Sequence, residues 1–108
     1  MAFLHKNLAA GRWHELSLAE QLGNIGSEVF RASRHERDEA AYEGAILRAL
    51  ELFDLTLSDP RWAGRRREIA RAREVFCDAI SGGPLYRSTL RGLTAYFDAF
   101  AIAARNGR

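Results

Sequence analysis

The sequence holds one cysteine, one methionine, one lysine and two prolines in 108 residues. A lone Cys77 cannot close an intramolecular disulfide, which points to a reducing compartment. Pro60 and Pro84 both fall between apolar-periodic segments, so no helix-length stretch is interrupted by either. Runs of valine, isoleucine and threonine are scarce, which disfavours strands. No apolar run approaches the length of a membrane span. The opening MAFLHKNLAAGR lacks the long apolar stretch of a secretion signal. These shortages predict a cytoplasmic protein without a membrane role.

What is present is the composition of a folded domain: 47% apolar and 28% charged residues. The length suits one domain with one core. We assign that domain to residues 13–108, preceded by residues 1–12 as a loose arm or a short extra helical turn.

Four helical segments can be read along the chain. SLAE opens the first, since Ser17 and Glu20 have the spacing of a capping box. Leu18, Leu22, Ile25 and Val29 then form one apolar stripe, beside Ala19, Gly23, Gly26 and Phe30. Glycines inside a helix predict that another backbone comes close on that side. The second helix runs from about Asp38 to Ser58. SDPRW ends it, with Asp59 as cap and Pro60 at the first position of a third helix over 61–80. That third helix turns Ile69, Ala72, Phe76, Ala79 and Ile80 inward, with Val75 at the edge. SGGP stops it, its glycines suited to a left-handed cap. A fourth helix opens at Ser88 or Thr89, carries Leu90, Leu93, Phe97, Phe100 and Ala104 with Tyr96 alongside, and ends at RNGR. Amphipathic helices joined by short turns predict an all-α fold, an up-down-up-down antiparallel four-helix bundle.

The second helix is apolar nearly all round. On a helical wheel Leu47 falls inside its polar arc of Glu43, Arg48, Glu51, Asp54 and Ser58, and Leu55 lies next to Arg48. Two leucines there predict a second buried face, so Leu47 and Leu55 are the candidate oligomer interface.

Catalytic chemistry finds little to stand on. His5, His14 and His35 pair with no cysteine or carboxylate at a metal-binding spacing. His35, Glu36, Asp38, Glu39 and Glu43 read as a solvated turn leading into an acid-rich helix start. Cys77 reads as a small, packed side chain next to Arg73. SGGP lacks the lysine and following helix of a phosphate loop, and helix two lacks the repeated Glu-x-x-His of di-iron bundles. The Arg–His pair of HEPN-class ribonucleases is wrongly spaced at both Arg31–His35 and Arg12–His14. No catalytic residue, metal site or cofactor is expected.

The arginines are the strongest signal. Arg61, Arg65, Arg66, Arg67, Arg71 and Arg73 against Glu68 give residues 61–73 a charge of +5, and the rest of this +2 chain therefore carries −3. Fifteen of the sixteen basic residues are arginine, which suits bidentate pairing to phosphate or carboxylate, although a GC-rich genome produces the same bias. Arg67 and Arg71 interleave with Glu74 and Asp78 on an outer face. Arg61, Arg65 and Arg66 have no acid within a turn but Glu68, which we expect to pair with a first-turn arginine or with another helix. Two readings stay open. Arg61, Arg65, Arg66 and Arg67, with the Trp62 ring, form a nucleic-acid contact. Otherwise Trp62 plugs the end of the bundle, and the arginines are solvated or pair with acids of a neighbouring subunit.

WHELSLAEQLGNIGSEV, RALELFDLTLSDPRW and REIARAREVFCD resemble the S23-type four-helix-bundle superfamily over roughly residues 13–105. That group includes the proteins encoded in ribosomal-RNA intervening sequences and the accessory variability determinants of diversity-generating retroelements. The resemblance implies a homo-oligomer, typically a five-membered barrel of bundles. For the retroelement branch it implies a basic surface that binds RNA and a reverse transcriptase.

Overall fold

Ser17 Oγ accepts from the Glu20 amide at 3.1 Å, and Glu20 Oε1 accepts from the Ser17 amide at 2.9 Å. This reciprocal cap, legible in SLAE, starts α1 (Leu18–Arg34). The computed structural model describes the backbone of residues 11–83 and 89–105, with side chains except at 100, 101 and 103–105. Within it α2 spans Glu39–Leu57, α3 Arg66–Ile80 and α4 Leu90–Arg105, with 3-10 turns at Arg12–Glu15 and Pro60–Arg65. No strand occurs among the described residues. No helix among them is long and apolar enough to cross a membrane. The expectations for residues 1–10, His5, a start at Ser88, the inward faces of Phe100 and Ala104, and a cap at Asn106–Gly107 lie outside the described residues.

α1 is the centre of the packing, lying along both α4 and α2. Its stripe of Leu18, Leu22, Ile25, Val29 and Ala32 is buried. The close approach foreseen at its glycines occurs at Gly26, where an added Cβ would stand 2.5 Å from Phe97 Cβ on α4. Phe53 of α2 then joins the other helices. Its ring lies 5.8 Å from Phe76 of α3 and 6.0 Å from Phe97, both tilted or edge-on. Each such pair contributes about 0.5–1.5 kcal/mol beyond its burial.

Two expectations need correction. Leu55 is buried within the chain, so it is not available to a partner, whereas Leu47 is 57% exposed. Arg48 explains the difference. Its position looked solvent-facing, but its Nε donates to Glu28 Oε1 on α1 at 3.3 Å, so that side of α2 faces α1. Leu55, two turns further along the same side, is covered with it. The third helix also begins later than expected. Residues 60–65 form a 3-10 turn with non-helical dihedrals at Trp62 (φ −103°, ψ 20°), and the α-helix starts only at Arg66. At the other end of α3 the glycine stop forms as read: Gly82 and Gly83 take φ of 93° and 76°, and the Gly83 amide donates to Asp78 O at 2.8 Å.

Candidate nucleic-acid interface

The turn that carries the arginines is held by a buried polar network. Trp13 is buried in the 3-10 turn before α1, and its indole Nε1 donates to Thr56 Oγ1 of α2 at 3.0 Å. Gln21 of α1 is fully buried. Its Nε2 donates to Trp13 O at 2.9 Å and to Asp59 Oδ2 at 3.2 Å. Its Oε1 accepts from the Trp62 indole at 2.8 Å. Every polar atom of that amide is thus used, which is what a buried amide needs, since an unsatisfied group costs about 1–3 kcal/mol.

Asp59 completes the network. Its Oδ1 accepts from the Arg61 amide at 3.0 Å and caps the turn. The Arg61 guanidinium also clasps it, with Nη2 2.7 Å from Oδ2. The bonds from the Arg61 side chain hold the Asp59 carboxyl down at about 2 against the opposing effect of burial. Arg61 Nη2 further donates to Leu16 O at 2.6 Å, and its guanidinium stacks 4.5 Å from the centroid of the Trp62 ring.

The six arginines therefore divide. Arg61 was expected to have no acid within a turn but Glu68. Asp59, only two residues earlier, is its partner, and Arg61 serves the fold. Trp62 is half-buried and packs against the core, with its indole N–H already committed. Arg65 pairs with Glu68 through Nη2 at 3.0 Å, as expected of a first-turn arginine, though both partners are more than half exposed. Such a pair contributes only about 0–1 kcal/mol. Arg66 Nε donates to Leu57 O, a carbonyl in the last turn of α2, at 3.2 Å. Arg67 is exposed and has no hydrogen-bonding or ionic partner among the described residues. Arg71 lies 3.8 Å from Glu74, and Arg73 donates to Asp54 Oδ1 at 3.1 Å. What remains open to an outside anion is the row Arg65, Arg66 and Arg67 at the positive N-terminal end of α3.

Cys77 is half-buried, with Arg73 Nη1 at 3.9 Å from its Sγ. Among the described residues no three of His, Cys, Asp and Glu are grouped so as to hold a metal ion. Gln21 escaped sequence reasoning, yet a signal was there. It sits three residues after Leu18 on the apolar stripe, in a chain with two tryptophans that each need a partner for an indole N–H. Glu28 was missed likewise. It is buried on α1 and receives both Arg31 at 2.9 Å and Arg48 at 3.3 Å.

No family model, no curated protein and no solved structure matches this chain.

Proposed function

We propose that the protein is a non-enzymatic, cytoplasmic helical accessory protein that binds RNA, alone or in complex with a reverse transcriptase, through Arg65, Arg66 and Arg67. One observation carries the reading: three consecutive guanidiniums stand exposed at the start of α3, and the ion pairs and hydrogen bonds that engage them among the described residues are an exposed pair to Glu68 and one carbonyl bond. Arg61 and Trp62 contribute by fixing this row to α1 rather than by touching RNA. Short connections between successive helices support the finer architecture, an up-down-up-down antiparallel bundle. Leu47, exposed on α2, supports self-association into a ring of copies.

The test is a titration of labelled single-stranded RNA against wild type and an Arg66→Gln/Arg67→Gln variant over a salt series. The variant should bind more weakly and with a salt slope shallower by about 1.4. Equal affinity and slope would remove the proposal.

A second reading has its own observation. An apolar groove between α3 and α4 is floored by Ala72 and Leu93 and walled by Val75 and Tyr96, with Glu68 and Arg71 at its rim. It favours a protein-interaction module without a nucleic-acid role. In that case Tyr96→Ala would abolish partner capture while the arginine variant remained unchanged.

A further inference from the structure

The far end of α1 carries a second set of cations. From Gln21, beside Trp62, to Arg34 is thirteen residues of α1, about 20 Å at the helical rise. There a cleft of about 550 Å3 is lined by Arg34, His35, Glu36, Arg37, Asp38 and Arg91. It collects the last turn of α1, the connection to α2 and the first turn of α4.

Its arginines differ from most others among the described residues. Arg31, Arg48, Arg61, Arg65, Arg71 and Arg73 each stand within 4 Å of a carboxylate oxygen. Arg34, Arg37 and Arg91 are exposed and have no ionic or hydrogen-bonding partner among the described residues. Acids are nevertheless present in the same cleft. Asp38 is otherwise engaged, its Oδ1 accepting from the Ala41 amide to cap α2 at 3.2 Å. Glu36 shares a cleft with Tyr42, whose hydroxyl is held in the protonated form by burial first and by the Glu36 charge second. Neither forms an ion pair with an arginine among the described residues.

Geometry keeps the donors available. The Arg34 guanidinium rests on the Phe30 ring, 5.5 Å from its centroid. A face contact of that kind steadies the group and leaves its in-plane N–H edges free for a bidentate anion. Arg91 sits in the first turn of a sixteen-residue helix, where the backbone dipole adds positive potential. Thr89 Oγ1 accepts from the Gly92 amide at 3.0 Å and fixes that turn. Three forked donors around one cleft exceed what a single carboxylate needs and match adjacent phosphates.

We propose that Arg34, Arg37 and Arg91 form a binding site for a ligand carrying at least two neighbouring phosphate groups. The source is either a free polyphosphate or the backbone of a nucleic acid. The site is separate from Arg65–Arg67, so either proposal can fail alone.

The full chain is titrated with inorganic tripolyphosphate by calorimetry and with a short labelled oligouridylate by fluorescence anisotropy, both at low salt. Wild type should bind at least one probe, and Arg37→Gln/Arg91→Gln should weaken that binding roughly tenfold or more. Arg66→Gln/Arg67→Gln should leave in place the part of tripolyphosphate binding that Arg37→Gln/Arg91→Gln removes. Tripolyphosphate binding lost in the cleft variant assigns a free polyphosphate. Oligouridylate binding alone, lost in the same variant, assigns a nucleic-acid backbone. Glu36→Gln removes an acid without touching a guanidinium and should tighten binding roughly twofold to fivefold, a gain that a damaged fold would not produce. Absence of binding by both probes overturns the site, as does equal affinity across wild type, the cleft variant and Glu36→Gln.

Discussion

The Trp62 indole donates to the side-chain oxygen of Gln21 at 2.8 Å, joining the arginine-bearing turn to the N-terminal half of α1. Gln21 is the common partner of both tryptophan segments and of Asp59. Gln21→Leu keeps the volume and the apolar stripe but strands the Trp62 N–H and takes one of the donors from the Trp13 carbonyl and from Asp59 Oδ2. The expected cost is about 2–4 kcal/mol, seen as a melting temperature lower by roughly 10–15 °C. A melt within a degree or two of wild type would show that the network is dispensable.

Asp59 makes stability depend on acid. Its carboxyl is held at about 2, below the ordinary 3.8, chiefly by the Arg61 side chain. The unfolded chain therefore takes up the proton first as pH falls. The stabilisation is complete above the ordinary value and is lost as pH drops from about 4 toward 2. Circular-dichroism melts of wild type and Asp59→Asn should differ clearly at neutral pH and converge in that interval. Parallel curves down to pH 2 would contradict the assignment.

At Gly26 the helix-favouring substitution is predicted to harm. Alanine normally stabilises a helix by about 1 kcal/mol over glycine. Here its Cβ would meet Phe97 Cβ at 2.5 Å, and neither atom sits on a flexible end. Overpacking of this kind costs about 1–3 kcal/mol, so Gly26→Ala should lower the denaturation midpoint. Gly64, with nothing within 4 Å of its added Cβ, is the control and should tolerate alanine.

Leu47 and Leu55 separate assembly from folding. Leu55→Ala should cost about 2–4 kcal/mol in stability, because its side chain is covered within the chain. Leu47→Glu should leave the melt within about 0.5 kcal/mol of wild type and reduce the solution mass measured by light scattering. An unchanged mass for an oligomeric wild type would place the interface elsewhere.

The readable features were local ones. The Ser17–Glu20 cap, the glycine stop at 82–83 and the apolar stripes of α1 and α3 depend on residues a few positions apart, and the structure has them where the spacing put them. The close contact at Gly26 was also legible, because a glycine inside a helix has a cost that something must offset. Misreadings came from polar residues with distant partners. The spacing of Arg48 points to solvent, yet its side chain reaches across to Glu28. SDPRW shows Asp59 as a cap alone, although its two oxygens also hold a guanidinium and an amide from α1. Spacing alone predicts a regular helix from residue 61. The 3-10 turn through Trp62 takes Arg61 and Arg65 out of that helical register, so spacing does not give their faces.

The polar network also decides what light can report. The chain's two tryptophans, Trp13 and Trp62, both hydrogen-bond to Gln21. Intrinsic fluorescence is therefore a probe of one end of the molecule, the end bearing Arg65–Arg67. Opening of the Arg34–Arg91 end would pass without an indole signal, while far-ultraviolet dichroism, summed over every helix, would register it. If the two signals do not coincide in a melt, the ends unfold separately, and the order of the two transitions identifies the weaker end.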